Sequence, residues 1–226
     1  MTLTPTNYGN NPFQPGVAQD AFIPDQLLAG DLKVVTHSRT ITGGAALKRG
    51  SVLGKVTIGS IANGVVTGTG NGTLTVPVAG AKCKVGTYTV RMKSATTFDV
   101  INPNGVQIAE GFALGAYTDT EIGFTITAGG TAFIAGDTIA VVVSAGSGGY
   151  KLATAAATDG SQDPVTLLAD DADASGGDVT GAIYGMGEFN GNAVTLGSGI
   201  TLAAATTALE AQNIYLKTFV TAADPS

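Results

Sequence analysis

The chain has 226 residues, 44% hydrophobic and 12% charged, enough apolar sequence for a packed core and too much for disorder throughout. Seventeen acidic against eleven basic side chains give a net charge of −6, with no basic stripe of the kind that nucleic-acid binding needs. Glycine supplies 33 residues, about twice the usual share, without the every-third-residue period of collagen, so it predicts many tight turns.

Residues 1–19 open with MTLTPTNYGNNPFQPG, rich in Pro, Asn and Gly and therefore neither helix nor continuous strand. The segment reads as a frayed terminus or as an arm that orders on a partner, with Leu3, Tyr8 and Phe13 as its anchors. Phe22 begins an apolar stretch broken by Pro24 and Gly30. Loose alternation over Leu32 to Thr42, with His37 and Arg39 among its polar positions, predicts a strand. Gly43 and Gly44 turn the chain, and Ser51 to Ile58 reads as a second strand. Lys48 and Arg49, beside that turn, are read as solvated or as interface charges. Gly59 to Gly72 reads as a loose connection.

From there composition shifts to short regular β-runs. Thr73–Val78, Gly86–Lys93, Thr97–Ile101, Val106–Ile108, Glu121–Thr127 and Thr138–Ser144 read as strands. Tyr88, Val90 and Met92 share one face, as do Ile122, Phe124 and Ile126. Asn102-Pro-Asn-Gly105 is a strong turn signal. The block 62–147, Gly-rich at both ends, is expected to be an inserted β-sandwich or barrel.

Beyond it, Ala153–Thr158 has helical propensity but is too short to stand alone. Val165, Leu167 and Leu168 form an apolar run, an acidic turn spans Asp170 to Asp178, and Val179 to Met186 resumes an apolar tract expected to stop at Gly187-Glu188-Phe189-Asn190. Ala193–Leu196 reads as a further strand and Leu202–Glu210 as the one good helix, capped from Thr207 with Glu210 or starting earlier, near Thr201. Ile214–Val220 is the last expected strand, and Ala222–Ser226 a free tail. The fold class expected is mainly β, with a short C-terminal helix and an inserted β-domain.

No constellation for catalysis stands out. His37 is the sole histidine and has no partner visible by spacing. Cys83, the only cysteine, sits between Lys82 and Lys84; it excludes an internal disulfide, and its flanking charges alone do not make it a nucleophile. Asp159, Asp163, Asp170, Asp171, Asp173 and Asp178 cluster in sequence but not in the order of a calcium loop, and read as solvated turns. Gly68–Gly72 is neither a dinucleotide fingerprint nor a Walker loop, and Ser161 and Ser175 lack a nucleophile elbow. No enzyme activity, cofactor or metal is expected. Neither a secretory leader nor a run of about 18 apolar residues is present, so no membrane association is expected.

Phe22-Ile-Pro-Asp-Gln-Leu-Leu-Ala-Gly-Asp31, Leu47-Lys-Arg-Gly-Ser-Val-Leu-Gly54, Asp170–Asn190 and Ala208–Lys217 together resemble the lambda-like head decoration proteins of tailed bacteriophages. The resemblance covers 20–61 and 148–220, within a decoration module expected over 20–61 and 148–222, and is most specific at Gly-Glu-Phe-Asn190. It implies a structural virion protein, made in the host cytoplasm, that binds the outside of the expanded capsid as a homotrimer at threefold and quasi-threefold sites and holds the major capsid protein lattice against packaged DNA. It makes Phe22, Lys48, Arg49, Glu188, Phe189 and Asn190 candidates for the trimer or capsid interface. A carbohydrate- or host-surface-binding β-module in the middle block, or a tail or fibre protein, is the alternative.

Overall fold

The computed structural model describes residues 26–218. The expected arm with Leu3, Tyr8 and Phe13, the candidate Phe22, and the tail lie outside the described residues. The described chain is mainly β, with seventeen strands and one helix. In order they are β1 Val35–Ile41, β2 Ala46–Leu47, β3 Val52–Lys55, β4 Ile58–Ile61, β5 Val65–Thr67, β6 Thr73–Ala79, β7 Gly86–Met92, β8 Thr97–Ile101 and β9 Gln107–Ala113. There follow β10 Gly115–Thr118, β11 Ile122–Thr127, β12 Thr138–Ala145, β13 Tyr150–Leu152, β14 Pro164–Leu167, β15 Ala172–Asp173, β16 Val179–Asn190, α1 Leu202–Glu210 and β17 Ile214–Lys217.

The flanking segments build one six-stranded sheet in the order β14-β3-β13-β1-β16-β17. The β1–β13 and β16–β17 pairs are parallel and the others antiparallel. A bridge between Leu168 and Ile183 brings the β14 edge back to β16, so the sheet curls into a nearly closed barrel. Because side chains alternate along a strand, neighbours in sequence enter different cores. Val52, Leu167 and Tyr184 join Ala205 and Leu209 of α1, whereas Leu53, Leu168 and Ile183 join Ile41, Leu47 and Ala172. Apolar burial on both faces explains the continuous Leu167-Leu168 and Ile183-Tyr184 runs, which simple alternation would not produce.

The middle block holds two sheets, β10-β11-β6 and β4-β12-β7-β8-β9, with β5 also on β12. They share one core. Tyr88, Val90 and Met92 on β7 and Ile122, Phe124 and Ile126 on β11 point into it, as their alternation predicts. Phe98, at 0% exposure, meets Tyr117 edge-on at 6.0 Å and Phe124 at 5.9 Å. Burying a side chain of that size contributes roughly 1.5–3 kcal/mol.

Both crossings between the two regions run through one neck. Ile58 pairs with Ala145, Gly146 N–H donates to the Thr57 carbonyl at 2.9 Å, and Val56 exchanges bonds with Gly148 and Gly149, each at 2.9 Å. The chain leaves and returns side by side.

Several elements differ from the sequence reading. Ser51–Ile58 is not one strand: β3 ends at Lys55, and Ile58 belongs to β4 in the middle block's sheet. Gly59–Gly72 is not loose, since it carries most of β4 and all of β5, both paired to β12. The tract from Val179 continues through Gly187 to Asn190 because β17 pairs Gly187–Asn190 in register. Ala193–Leu196 is not a strand; Thr195 makes a single bridge to Ser51, while Val194 and Leu196 pack on the α1 side. Helix α1 starts after Thr201, whose side chain accepts from the Ala204 amide at 3.2 Å, and Thr207 lies within it.

Candidate attachment surface and cationic cleft

The described chain begins against the end of β16. Leu28 bridges Phe189 in antiparallel sense, Asn190 N–H donates to the Leu27 carbonyl at 2.8 Å, and Ala29 N–H donates to the Glu188 carbonyl at 3.0 Å. The Asn190 side-chain amide adds a bond to the Gln26 carbonyl at 3.1 Å. On the other side of β16, Lys217 lies opposite Asn190, and its ammonium reaches the Glu188 carboxylate at 2.7 Å. The Lys217 contact, opposed by desolvation and helped by the Leu32 amide at 3.3 Å, holds Glu188 below the usual carboxylate range. A side chain at Gly30 would run into that carboxylate, its Cβ falling 1.7 Å from Oε2, so the loop closes over Glu188 only with glycine there.

These contacts assign roles within Gly-Glu-Phe-Asn. Glu188 and Asn190 latch the incoming segment. Phe189 is fully buried, its ring centroid 4.5 Å from that of Tyr184 and tilted by 50°, so it is core and has no surface to offer. Lys48 and Arg49 are held together by Asp171. The exposed Lys48 ammonium pairs with that carboxylate at 2.7 Å, which raises the lysine and lowers the aspartate from their ordinary values. The Arg49 amide also donates to Asp171, and its guanidinium reaches the Ala169 carbonyl and the Tyr184 hydroxyl, each at 3.1 Å. Arg49 therefore ties the acidic turn to the barrel.

The remaining acidic residues bind their own turn or a neighbouring strand or turn. Asp173 accepts from the Ser175 amide and hydroxyl, Asp178 from the Gly43 amide at 2.8 Å, and Asp159 pairs with Lys151 at 2.6 Å. Among the described residues no three His, Cys, Asp or Glu side chains are grouped to hold a metal. Cys83 is half-buried; desolvation raises its thiol above the ordinary value, opposed by the Tyr88 hydroxyl.

Two features had no signal in the sequence. One is a set of buried carboxylates in the middle block. Asp137 accepts the amides of Thr69, Gly70 and Ile134 at 2.8, 2.9 and 3.0 Å. Glu121 accepts from Lys84, the Tyr88 hydroxyl and Asn102, and Asp99 from Arg91 and the Gly111 amide. The other is a cleft of about 350 Å³ bounded by β1, β3, β14 and β16, whose lining includes His37, Arg39 and Lys55. His37 is thus not isolated: the barrel joins it to two cations from separate strands.

The described protein is mainly β, and the polar side chains described above fasten its own loops and edges. The family model described as bacteriophage lambda head decoration protein D matches residues 17–214, most of the chain, and the chain belongs to that family. It is a structural protein of the phage capsid, associated with the virion, as the sequence resemblance implied. A comparison with curated protein sequences gave no match. Among solved structures, two crystal forms of FlgL from Xanthomonas campestris align in part. One has 19% identity and a TM-score of 0.33 over 43% of this chain, the other 15% and 0.28 over 47%. The alignments span 33% of the FlgL chain, and such low scores bear on neither fold nor function here. Among the described residues no helix is long and apolar enough to cross a membrane.

Proposed function

We propose that the protein binds the outside of the expanded phage head as a homotrimer at threefold and quasi-threefold sites, and there cements neighbouring major capsid subunits against the pressure of packaged DNA. The family match over 17–214 carries this reading. The attachment module is assigned to 20–61 and 148–222, with residues 1–19 as an arm that adds to an exposed capsid edge. The latch at Glu188 and Asn190 supports that assignment, because it anchors the chain just after the arm. The block 62–147 is assigned as an insertion. Its aromatics favour structure over carbohydrate binding: among its described Phe and Tyr residues only Phe112 is exposed.

Three arms engaged at once make release slow, since losing one contact leaves two. Binding only the assembled lattice stabilises it by linkage. The expected results are a trimer by sedimentation equilibrium and a higher DNA-release temperature for decorated than for stripped heads. A monomer at micromolar concentration would count against the assembly, and superimposable release curves against the cementing role.

A further inference from the structure

Strand β1 sits inside the flanking sheet yet is open on one edge. It pairs with β16 along its whole length, but β13 meets it only at Ile41. Gly149, just before β13, lies beside the Thr40 carbonyl, but along Thr36–Arg39 no described backbone hydrogen bond is made on the β13 side, and all four residues are exposed. The cleft lies along this opening. Arg39 and His37 reach it from β1, and Lys55 from β3, where Lys55 pairs with Tyr150. Ile183 and Ile214 give it an apolar lining. Glycine makes the room: a Cβ on Gly185 would fall 2.6 Å from His37 Nε2, and Arg39 lies opposite Gly181.

Charge makes the cleft specific. The chain carries a net −6, yet no acidic residue lines this opening. Among the described residues Lys48, Lys84, Arg91, Lys93, Lys151 and Lys217 have carboxylate partners; Arg39 and Lys55 have none, and neither do Lys33 and Lys82, but only Arg39 and Lys55 of these four line one cleft. A nucleic-acid backbone would need an extended basic track, which three residues in one recess do not provide. A small inorganic anion would use neither the apolar lining nor the open strand edge. An extended polypeptide uses all three: backbone bonds to the edge, an apolar neighbour on the lining, and a carboxylate between the cations.

We propose that the β1–β3 cleft receives an extended acidic segment of a protein partner, which lies along the open edge of β1 and places a Glu or Asp carboxylate between Arg39 and Lys55. This goes beyond the arm-mediated attachment proposed above and is tested without heads, so either reading can fail alone.

His37, the sole histidine, supplies a single imidazole NMR signal at the cleft. The full-length protein is titrated with an acetylated, amidated peptide Thr-Val-Glu-Val-Thr, with its Gln counterpart, and with inorganic phosphate. The Glu peptide is expected to shift the His37 signal saturably, and the Gln peptide to bind about tenfold more weakly, the loss expected when one charge-assisted hydrogen bond goes. Arg39→Gln with Lys55→Gln, both at exposed positions, should weaken the Glu peptide by a similar factor while leaving the circular dichroism spectrum unchanged. Equal binding of the two peptides, no shift with either, or undiminished binding by the double variant would overturn the proposal. A full shift with phosphate alone would identify a small-anion site and overturn it equally.

Discussion

The flanking sheet and the middle block are both β-structures of similar strand length, but they stabilise themselves by different means. The flanking sheet curls until both faces are apolar, and its carboxylates stay near the surface, pairing with lysines and turn amides. The middle block has one core between two sheets and fixes its loops with carboxylates taken inside: Asp99 at 1%, Asp137 at 3% and Glu121 at 9% exposure. A buried carboxylate that accepts two or three donors holds loop backbone that no strand partner can reach. The block with irregular connections therefore carries the buried charge, and the barrel does not need it.

The sharpest way to break this comparison is to remove one side of it. Replacing residues 58–145 with a short Gly/Ser link between Thr57 and Gly146, already hydrogen-bonded to each other, should leave a soluble barrel that unfolds cooperatively. Aggregation at every link length would show that the regions depend on one another. The next largest effect comes from truncating one core at a time. Phe98→Ala and Phe189→Ala should each cost about 3–5 kcal/mol, read by calorimetry as the shift of one transition with the other in place. Both variants moving the same single transition would dissolve the distinction.

Acid should separate the regions more gently. Asp99, Glu121 and Asp137 are all held below their ordinary values. For Asp99 and Glu121, burial opposes the shift and is outweighed: by the Gly111 amide and Arg91 for the first, by Lys84, Tyr88 and Asn102 for the second. For Asp137 the amides of Ile134, Thr69 and Gly70 lead. A depressed carboxylate contributes stability above its unfolded value and loses it as pH falls through its folded value, so the loss begins below about pH 4. The middle block should unfold first on acidification, followed by its amide exchange. Glu121→Gln should flatten that dependence, and an unchanged acid profile would remove Glu121 from the account. The smallest effect sits in the barrel's cover: Thr201→Ala removes the α1 cap and should cost about 1 kcal/mol in the flanking transition alone.

What could be read from the sequence follows the same division. In the middle block β7 and β11 stood out by alternation, and the β8–β9 hairpin by the Asn102–Gly105 turn. In the flanking sheet glycine misled. Gly187 looks like a stop, but it is where the Phe189 ring presses against the strand, 2.8 Å from where a Cβ would lie, just as His37 presses on Gly185 at 2.6 Å. Strands β2 and β15 are two residues each and leave no periodic trace. The Gly-Glu-Phe-Asn segment drew attention to Glu188, Phe189 and Asn190 as interface candidates, but their contacts within the chain, Glu188 and Asn190 to residues 26–32 and Phe189 into the core, left no trace in the sequence. The cleft was not legible, because Arg39 and Lys55 meet only through the order β3-β13-β1, and β13 arrives after the whole middle block. Nor did the spacing of Asp99, Glu121 and Asp137 distinguish three buried acids from the surface acids around them.

The neck has a mechanical consequence. Residues 56–58 and 145–149 run side by side from barrel to block, with their mutual hydrogen bonds lying across the direction of travel. A pull that draws the block away from the barrel is borne along two covalent backbones in parallel, and the cross-bonds are not peeled apart. Bending or twisting meets this two-stranded ribbon, the Asp159 carbonyl bonded to the Thr57 and Ile58 amides, and a single bond from the Gln162 side chain to the Ala81 carbonyl. The joint is stiff in tension and compliant in rotation, like a strap.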